Sequence, residues 1–396
     1  MTPSPRRIAR LAGLCAMLVV ACAPALAKQN GKPAPKRLAA APAAATASAP
    51  SAPYARREDV ALFAEQVAER NGLDADWVRA TLAAARYQAS VARLVMPPPA
   101  GTAKNWAAYR ARFVEPRRIA AGVAFWRANE ATLARAEAEY GVPPEIVAGI
   151  IGVETLYGQH MGSYRAIDAL ATLAFDFPAG RKDRSAFFRD ELEQLLVMCG
   201  VPKAGRGRCD PLAQESAPKP AAPQGGLSKA AGPPSLMSSY AGALGLPQFM
   251  PSSVNRYAVD FDGDGRIDLH HSTADAIGSV AHYLAAFGWK RGMPTHYGVA
   301  APVDASERAT LLVPDIVPTF SAERMEELGA ELDADGKVHE GLLALVELQN
   351  GDAAPTYVAG TDNFYAVTRY NWSSYYALAV IELGQAVRRQ VAGERP

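Results

Sequence analysis

The segment from Pro143 to Gly158 predicts a buried helix with one carboxylate, Glu154, close to its C-terminal end. Pro143 and Pro144 stand where the first turn of a helix accepts proline, and a glycine breaks the pattern at Gly158. Apolar side chains recur between them at helical spacing, at Ile146, Val147, Ile150 and Ile151. Glu154 is therefore predicted to lie on or beside a largely buried surface.

The predicted position of Glu154 disfavours the charged form of its carboxyl group. Desolvation raises a carboxyl pKa, and so does the negative end of a helix dipole. A carboxylic acid that stays protonated near neutral pH is the proton donor that cleavage of a glycosidic bond requires. The residues alone leave a second interpretation open, in which Glu154 is an ordinary glutamate on the solvated side of a core helix.

The composition describes a globular chain and excludes some classes of function. The chain has 396 residues, of which 49% are hydrophobic, and this is enough for one large domain or two smaller ones. Its formal net charge is +1, whereas nucleic-acid binding requires a basic face, so we predict no nucleic-acid partner. Only the N-terminus carries a long apolar run, and we predict no transmembrane span in the mature chain.

Residues 1–27 are predicted to be an export signal peptide, which would place the protein in the periplasm. Arg6, Arg7 and Arg10 precede an apolar run, and Ala25-Leu26-Ala27 fits a cleavage site with small residues.

Two further segments are predicted to be disordered because their composition cannot bury enough apolar surface. Residues 28–57 are rich in Ala, Pro and Ser and predict a flexible tether. Residues 200–235 are rich in Pro, Gly and Ala and predict a flexible insertion.

The four cysteines suggest one lipidation site and one disulfide. Cys15 lies in the signal, and Cys22 follows Val19-Val20-Ala21 in a sequence that resembles a lipobox, so an outer-membrane lipoprotein is the alternative to a soluble exported protein. Cys199 and Cys209 are predicted to form a disulfide in an oxidising compartment.

The coarse secondary structure predicts an α+β fold that is predominantly α. Alternating apolar residues predict strands at 343–348 and 364–368, with a turn at 349–352 after the first of them. Besides the helix that carries Glu154, helices are predicted at 59–69, 74–88, 116–140, 166–174, 185–198, 252–258 and 273–286, with a last one from about Ser374.

Three motifs follow one another along the chain. They are Gly152-Val153-Glu154-Thr155-Leu156-Tyr157-Gly158, then Asp168-Ala169-Leu170-Ala171-Thr172-Leu173, then Gly242-Ala243 with Gly245 and Gln248-Phe249-Met250-Pro251-Ser252-Ser253. In this order they resemble the lytic murein transglycosylases of the B type (glycoside hydrolase family 103). The likeness runs from about residue 58 to about 385. It implies a catalytic region over residues 58–390, with a lysozyme-like catalytic core and accessory helical and small β lobes.

The resemblance implies cleavage of the β-1,4 bond between MurNAc and GlcNAc in peptidoglycan, with formation of 1,6-anhydroMurNAc ends. Glu154 would act alone, first as acid and then as base, without a catalytic cofactor. Peptidoglycan glycan strands are the implied partner, and cell-wall synthases are a candidate class of protein partner. Two alternatives are a muramidase that delivers water and a non-catalytic peptidoglycan-binding protein.

A second carboxylate would be needed for standard glycoside hydrolysis, and three candidates follow the Glu154 motif. Asp168 opens a helical segment, and we interpret it as a helix N-cap in preference to a functional residue. For Asp176, between two phenylalanines, a turn role and a functional role are equally plausible. Glu191 is the third candidate.

The resemblance also assigns residues to a saccharide-binding groove. A polar residue beside a turn is the alternative for Gln248, and core packing is the alternative for Tyr283. The assigned residues are Ser239, Gln248, Tyr283, Tyr370, Asn371, Tyr376 and Arg184.

An acidic loop over residues 260–275 predicts a structural Ca²⁺ site of the EF-hand type, with an ordinary acidic turn as the alternative. His271 occupies position 12, where an EF-hand carries glutamate, and the resemblance implies that Asp275 supplies the later carboxylate. The acidic residues at positions 1, 3, 5 and 9 are Asp260, Asp262, Asp264 and Asp268, with Gly265 at position 6 and the carbonyl of Arg266 at position 7.

Overall fold

The computed structural model describes residues 54–97, 104–200 and 236–393, and helices make up most of them. A short 3₁₀ turn, Tyr54–Arg56, precedes the first helix. The helices are α1 Glu58–Asn71, α2 Ala75–Ala83, α3 Ala89–Leu94, α4 Trp106–Arg110, α5 Pro116–Ala128, α6 Glu130–Tyr140, α7 Pro144–Thr155, α8 Ala166–Phe175, α9 Ser185–Cys199, α10 Pro251–Tyr257, α11 Thr273–Ala286, α12 Ala305–Leu312, α13 Ala322–Glu327, α14 Ala334–Lys337, α15 Asp362–Thr368 and α16 Ser374–Val391.

The strands form two small antiparallel sheets. They are β1 Tyr164–Arg165, β2 Met237–Ser238, β3 His296–Ala300, β4 Glu331–Leu332, β5 Ala344–Asn350 and β6 Ala353–Gly360. Strands β1 and β2 pair with each other, and the other four lie in the order β4-β3-β6-β5. Strand β5 and the turn after it confirm part of the β prediction. The α+β, predominantly α, fold class is confirmed.

Buried apolar residues form three clusters, and the first two bring distant parts of the chain together. The largest cluster packs α7 against α16, with α5, α6, α11 and α15 around them. A second cluster joins α1 and α2 to α8, α9 and the loop before α10. The third lies under the four-stranded sheet and the short helices α12 and α13.

Two predicted helices are interrupted in the structure. The predicted helix 116–140 divides at Asn129, whose side-chain amide donates to the carbonyl of Phe125 at 2.8 Å. The predicted helix 74–88 stops at Ala83, because two later backbone N–H groups bind side chains of α8. The amide of Arg86 donates to Asp168, and that of Gln88 donates to Thr172, each at 2.9 Å.

The strand predicted at 364–368 is wrong, because these residues belong to helix α15. Thr361 caps this helix by accepting from the amide of Asn363, and Phe364, Ala366 and Val367 are buried against the first cluster. A short run of apolar residues suits either a strand or a buried helix, and here the cap and the packing decide for the helix.

The end of the predicted tether is folded. Tyr54 is buried, and its hydroxyl donates to Asp176 at 2.9 Å. The guanidinium of Arg57 donates to the same carboxylate at 2.7 Å. Residues 54–57, the last four of the predicted tether, are therefore part of the fold.

Several predictions fall outside the described residues. These are the signal at 1–27, Cys22, the tether up to residue 53, the insertion from residue 201 and Cys209. Cys199 is buried and disulfide-bonded, as predicted for one half of the Cys199–Cys209 pair. Within the described ranges, no helix is both long and apolar enough to cross a membrane.

Candidate active site

Glu154 lies where two antiparallel helices approach each other unusually closely. A Cβ atom on Gly149 of α7 would lie 2.3 Å from the carbonyl oxygen of Val380, and one on Gly384 of α16 would lie 2.0 Å from that of Glu145. Only glycine permits this backbone contact at either position. The close approach brings the start of α16 against the end of α7.

The hydroxyl of Tyr376, at the start of α16, donates a hydrogen bond to Oε1 of Glu154 at 2.6 Å. Burial raises the pKa of Glu154 from 4.5 to about 7, although the Tyr376 hydrogen bond opposes the shift by stabilising the charged form. The prediction that Glu154 sits at the end of a buried helix is confirmed. Its carboxyl group is thus partly protonated near neutral pH, and one residue could both donate and accept a proton.

The Glu154 carboxyl group faces a cleft at the junction of the first two apolar clusters. Clefts at such junctions are common ligand sites. Four of the predicted groove residues line this cleft with Glu154: Arg184, Gln248, Tyr370 and Asn371. The structure therefore brings together residues that lie as far as 217 positions apart in the sequence, between Glu154 and Asn371.

An aromatic wall supports one side of the cleft. The ring of Tyr370 stacks on that of Tyr376, with centroids 6.2 Å apart and an interplanar angle of 12°. The hydroxyl of Tyr370 donates to the carbonyl oxygen of Pro247 at 2.5 Å. This bond joins the aromatic wall to the loop that carries Gln248.

Two of the predicted groove residues are placed behind the cleft surface. Tyr283 packs edge-on against Tyr370 at 4.9 Å, and its hydroxyl donates to the carbonyl oxygen of Arg369. Ser239 is buried, and its hydroxyl accepts from the amides of Ala241 and Ala243, both of which line the cleft. Both residues shape the cleft wall, and their contact with a sugar stays a prediction.

Several residues at this site were not predicted from the sequence. Tyr240, Arg181, Phe187 and Met250 line the cleft with the predicted residues. Burial, and then the charge of Glu154, raises the pKa of Tyr109 to about 12. Tyr109 belongs to an aromatic-rich segment, Trp106–Phe113, but the spacing of this segment does not predict that it lies near Glu154.

The three candidate second carboxylates have structural partners. Asp168 is not the N-cap that we predicted, since α8 begins two residues earlier; it is buried and pairs with Arg165 at 2.7 Å. Asp176 binds Tyr54 and Arg57. Glu191 is buried and accepts from the backbone and hydroxyl of Ser252 at the start of α10. Among the described residues that line the cleft, Glu154 is the only carboxylate.

The acidic loop before α11 brings three carboxylates together. One oxygen each from Asp260, Asp262 and Asp264 lies within 4.8 Å of the other two, so this trio could hold a metal ion. Oxygen ligands of this kind fit Ca²⁺. Asp268 instead faces the ring of His271, with oxygen to Nδ1 at 3.1 Å.

Asp275 lies beneath this loop and organises its backbone. Its side chain accepts from the amide of Phe261 at 2.7 Å and from that of Asp268 at 2.8 Å. It is not one of the three converging carboxylates, and its role as a metal ligand stays a prediction, as does that of the Arg266 carbonyl.

The chain matches the Transglycosylase SLT domain family over residues 55–211 and 224–385. It is 37% identical over 342 residues to the membrane-bound lytic murein transglycosylase B of Escherichia coli strain K12, and the match covers 84% of each chain.

Solved structures with the same fold include two lytic transglycosylases. The soluble lytic transglycosylase SltB1 of Pseudomonas aeruginosa is 35% identical, with a TM-score of 0.68 over 84% of this chain and 99% of that one. The Escherichia coli lytic transglycosylase SLT35, solved with calcium, is 34% identical, with a TM-score of 0.66 over 86% and 95%.

A further relative was solved with a peptidoglycan fragment. SltB3 of Pseudomonas aeruginosa, in complex with NAG-anhNAM-pentapeptide, is 27% identical. Its TM-score is 0.64, over 84% of this chain and 79% of that one.

Proposed function

This chain belongs to the lytic murein transglycosylases of the B type and is an enzyme that cleaves peptidoglycan, and we propose that Glu154 performs both proton transfers of the reaction. One observation carries the proposal. Glu154 is the single carboxylate among the described cleft-lining residues, and its pKa of about 7 suits an acid that must later act as a base.

The proposed reaction has two steps. Protonated Glu154 gives its proton to the oxygen that bridges MurNAc and GlcNAc, and the bond from that oxygen to C1 of MurNAc breaks. The Glu154 carboxylate then takes the proton of the C6 hydroxyl of the same MurNAc, and O6 forms a bond to C1. The product carries a 1,6-anhydro ring, and Glu154 ends protonated, ready for another cycle.

The cleft supports this assignment through its other side chains. Asn371 offers an amide group, Tyr370 an aromatic face and Arg184 a positive charge. Gln248 offers its side-chain oxygen, since its side-chain nitrogen donates to the carbonyl oxygens of Gly245 and Met161. Amide hydrogen bonds and aromatic faces are well suited to sugar rings. We assign these four residues, with Ser239, Tyr283 and Tyr376 in support, to the binding of the glycan strand.

The masses of the released products test the proposed reaction. Digestion of purified sacculi should release muropeptides that are one water lighter than the products of hydrolysis, because the C6 hydroxyl takes the place of water. Mass spectrometry of the soluble fraction measures this directly. Products with the mass of reducing ends would instead identify a hydrolytic muramidase.

We further propose that the Asp260, Asp262 and Asp264 trio binds a structural Ca²⁺. The converging oxygens support this, and so does the relative that was solved with calcium. The loop is packed into the fold through Arg135, whose guanidinium lies 3.7 Å from the ring centroid of Phe261. A bound ion would therefore stabilise the junction of α6, the loop and α11.

Removal of Ca²⁺ is expected to lower the melting temperature by several degrees, because a ligand held only by the folded state stabilises it. Differential scanning fluorimetry with EGTA, and then with added Ca²⁺, measures the shift. The Asp260→Ala, Asp264→Ala double variant should lose the shift, while Asp352→Ala, an exposed acid in the β5–β6 turn, should keep it. An equal melting-temperature shift in the parent, the double variant and Asp352→Ala would show that the loop is an ordinary acidic turn.

We propose that the enzyme acts in the periplasm after export by residues 1–27. A relative whose name describes it as membrane-bound supports a location at a membrane surface. Lipidation at Cys22 would provide the anchor, and signal cleavage after Ala27 would give a soluble form.

A further inference from the structure

Thr155 follows Glu154 directly and connects the end of helix α7 to a distant loop. The residue is 1% exposed, and its hydroxyl donates to the carbonyl oxygen of Leu246 at 3.0 Å. The carbonyl oxygen of Ile151 is a second acceptor, at 3.2 Å. The same hydroxyl oxygen accepts from the amide of Gly158 at 3.0 Å. One buried hydroxyl thus binds both the turn after Glu154 and Leu246 in the neighbouring loop.

The loop that Thr155 binds presents Gln248 to the cleft. Residues 244–249 form a tight turn, because the backbones of Leu244 and Phe249 bind each other at 2.8 and 3.1 Å. Gln248 has a φ of 52°, in the left-handed region that non-glycine residues rarely adopt. Such a conformation persists where the surrounding structure holds it.

Leu246 is one of the points at which this loop is attached to the rest of the fold; the others include the Tyr370 hydroxyl on Pro247 and the Gln248 side chain on Met161. Its amide donates to the carbonyl oxygen of Leu269 at 2.9 Å, and its own carbonyl oxygen receives the Thr155 hydroxyl. The Leu269 contact holds the loop to the segment before α11. The Thr155 contact sets the loop against the helix that carries Glu154.

We infer that Thr155 is a positioning residue for the transglycosylase reaction: its hydroxyl sets the distance between the Glu154 carboxyl group and the Gln248 loop. This inference rests on the proposed function, in which Glu154 transfers the protons and Gln248 binds the sugar. Thr155 acts through these two residues and does not touch the substrate. A displacement of about 1 Å between groups that must meet the same sugar can lower a rate by about a hundredfold.

Thr155→Val and Thr155→Ser separate the effect of the hydroxyl from that of the side-chain shape. Valine keeps the shape and removes the hydroxyl, whereas serine keeps the hydroxyl and removes a methyl group. Thr172→Val is the matched control: Thr172 is also fully buried and also accepts a backbone amide, from Gln88, but it lies on α8 and does not line the cleft.

The measurement is kcat and KM on a soluble tetrasaccharide-peptide, with activity normalised to folded protein by circular dichroism well below each melting temperature. Thr155→Val is expected to lower kcat about tenfold to a hundredfold, with KM changed less than about threefold, because the glycan-binding surface is still present. Thr155→Ser and Thr172→Val should stay within about threefold of the parent kcat. If Thr155→Val does not fold, Thr155→Ala replaces it.

Three outcomes would overturn the inference. They are an unchanged kcat in the valine or alanine variant, an equal loss in the serine variant, and an equal loss in Thr172→Val. Glu154→Gln is measured in parallel, because normal turnover in that variant would refute the proposed role of Glu154 itself, whatever Thr155 does.

Discussion

Glu154→Gln is expected to lower turnover on isolated sacculi by about a hundredfold or more, while glycan binding persists. Glutamine has nearly the shape of glutamate and can still accept the hydrogen bond from Tyr376, which the structure places at 2.6 Å. It cannot donate a proton to the bridging oxygen, and it cannot take one from the C6 hydroxyl. Both proposed chemical steps therefore fail while the cleft keeps its form.

The measurement is the release of soluble muropeptides over time, together with a sedimentation assay for binding to sacculi. Glu191→Gln is the matched control, because it removes a buried carboxylate that lies outside the cleft and binds Ser252. The control should lose thermal stability but keep its turnover per folded molecule. Near-normal turnover in Glu154→Gln would refute the proposal that Glu154 is the catalytic residue.

The same substitution is expected to remove a loss of stability that the parent suffers as pH rises from about 4.5 to about 7. The pKa of Glu154 is about 7 in the folded protein and 4.5 in its ordinary state. Between these values the folded protein keeps a proton that the unfolded chain releases, so the free energy of unfolding falls as pH rises through this window. The loss is absent below about pH 4.5, complete above about pH 7, and about 3 kcal/mol in size.

Urea unfolding of the parent and of Glu154→Gln, at about pH 4 and about pH 8, measures the loss. The stability difference between the two proteins should shift by about 3 kcal/mol in favour of glutamine on going to the higher pH, since other titrating groups cancel in the comparison. Tyr376→Phe removes the hydrogen bond that favours charged Glu154, so its stability should keep falling to a higher pH than that of the parent. A pH-independent difference between parent and glutamine variant would contradict the raised pKa.

Local regularities made much of the fold predictable from sequence. Helix α7 was predicted because two prolines, four apolar residues at helical spacing and a glycine agree with one another over 16 residues, Pro143 to Gly158. Helix α11 was placed at its observed bounds, Thr273–Ala286, for similar reasons. The strand predicted at 364–368 failed because a short apolar run has no period long enough to distinguish a strand from a buried helix.

The groove residues were predicted from resemblance to a family. Such a resemblance indicates which residues meet in the fold but does not explain why they meet. Four of them, Arg184, Gln248, Tyr370 and Asn371, line the Glu154 cleft. Their spacing in the sequence does not predict that they lie close together. Tyr109 and Tyr240 were missed for the same reason, because their place at the site depends on which helices pack together.

The order of residues along the chain was enough to predict that a single glutamate ends a buried helix and that three aspartates alternate in one loop. Both features depend on neighbours within one turn or one loop, where covalent geometry limits the distances. The contact of Tyr376 with Glu154 and that of Thr155 with the Gln248 loop depend on how distant elements pack together. The first contact joins residues 222 positions apart, and it forms because α7 and α16 pack closely at glycines. The second joins residues 91 positions apart, and it forms because the backbone carbonyl of Leu246 reaches the buried hydroxyl of Thr155.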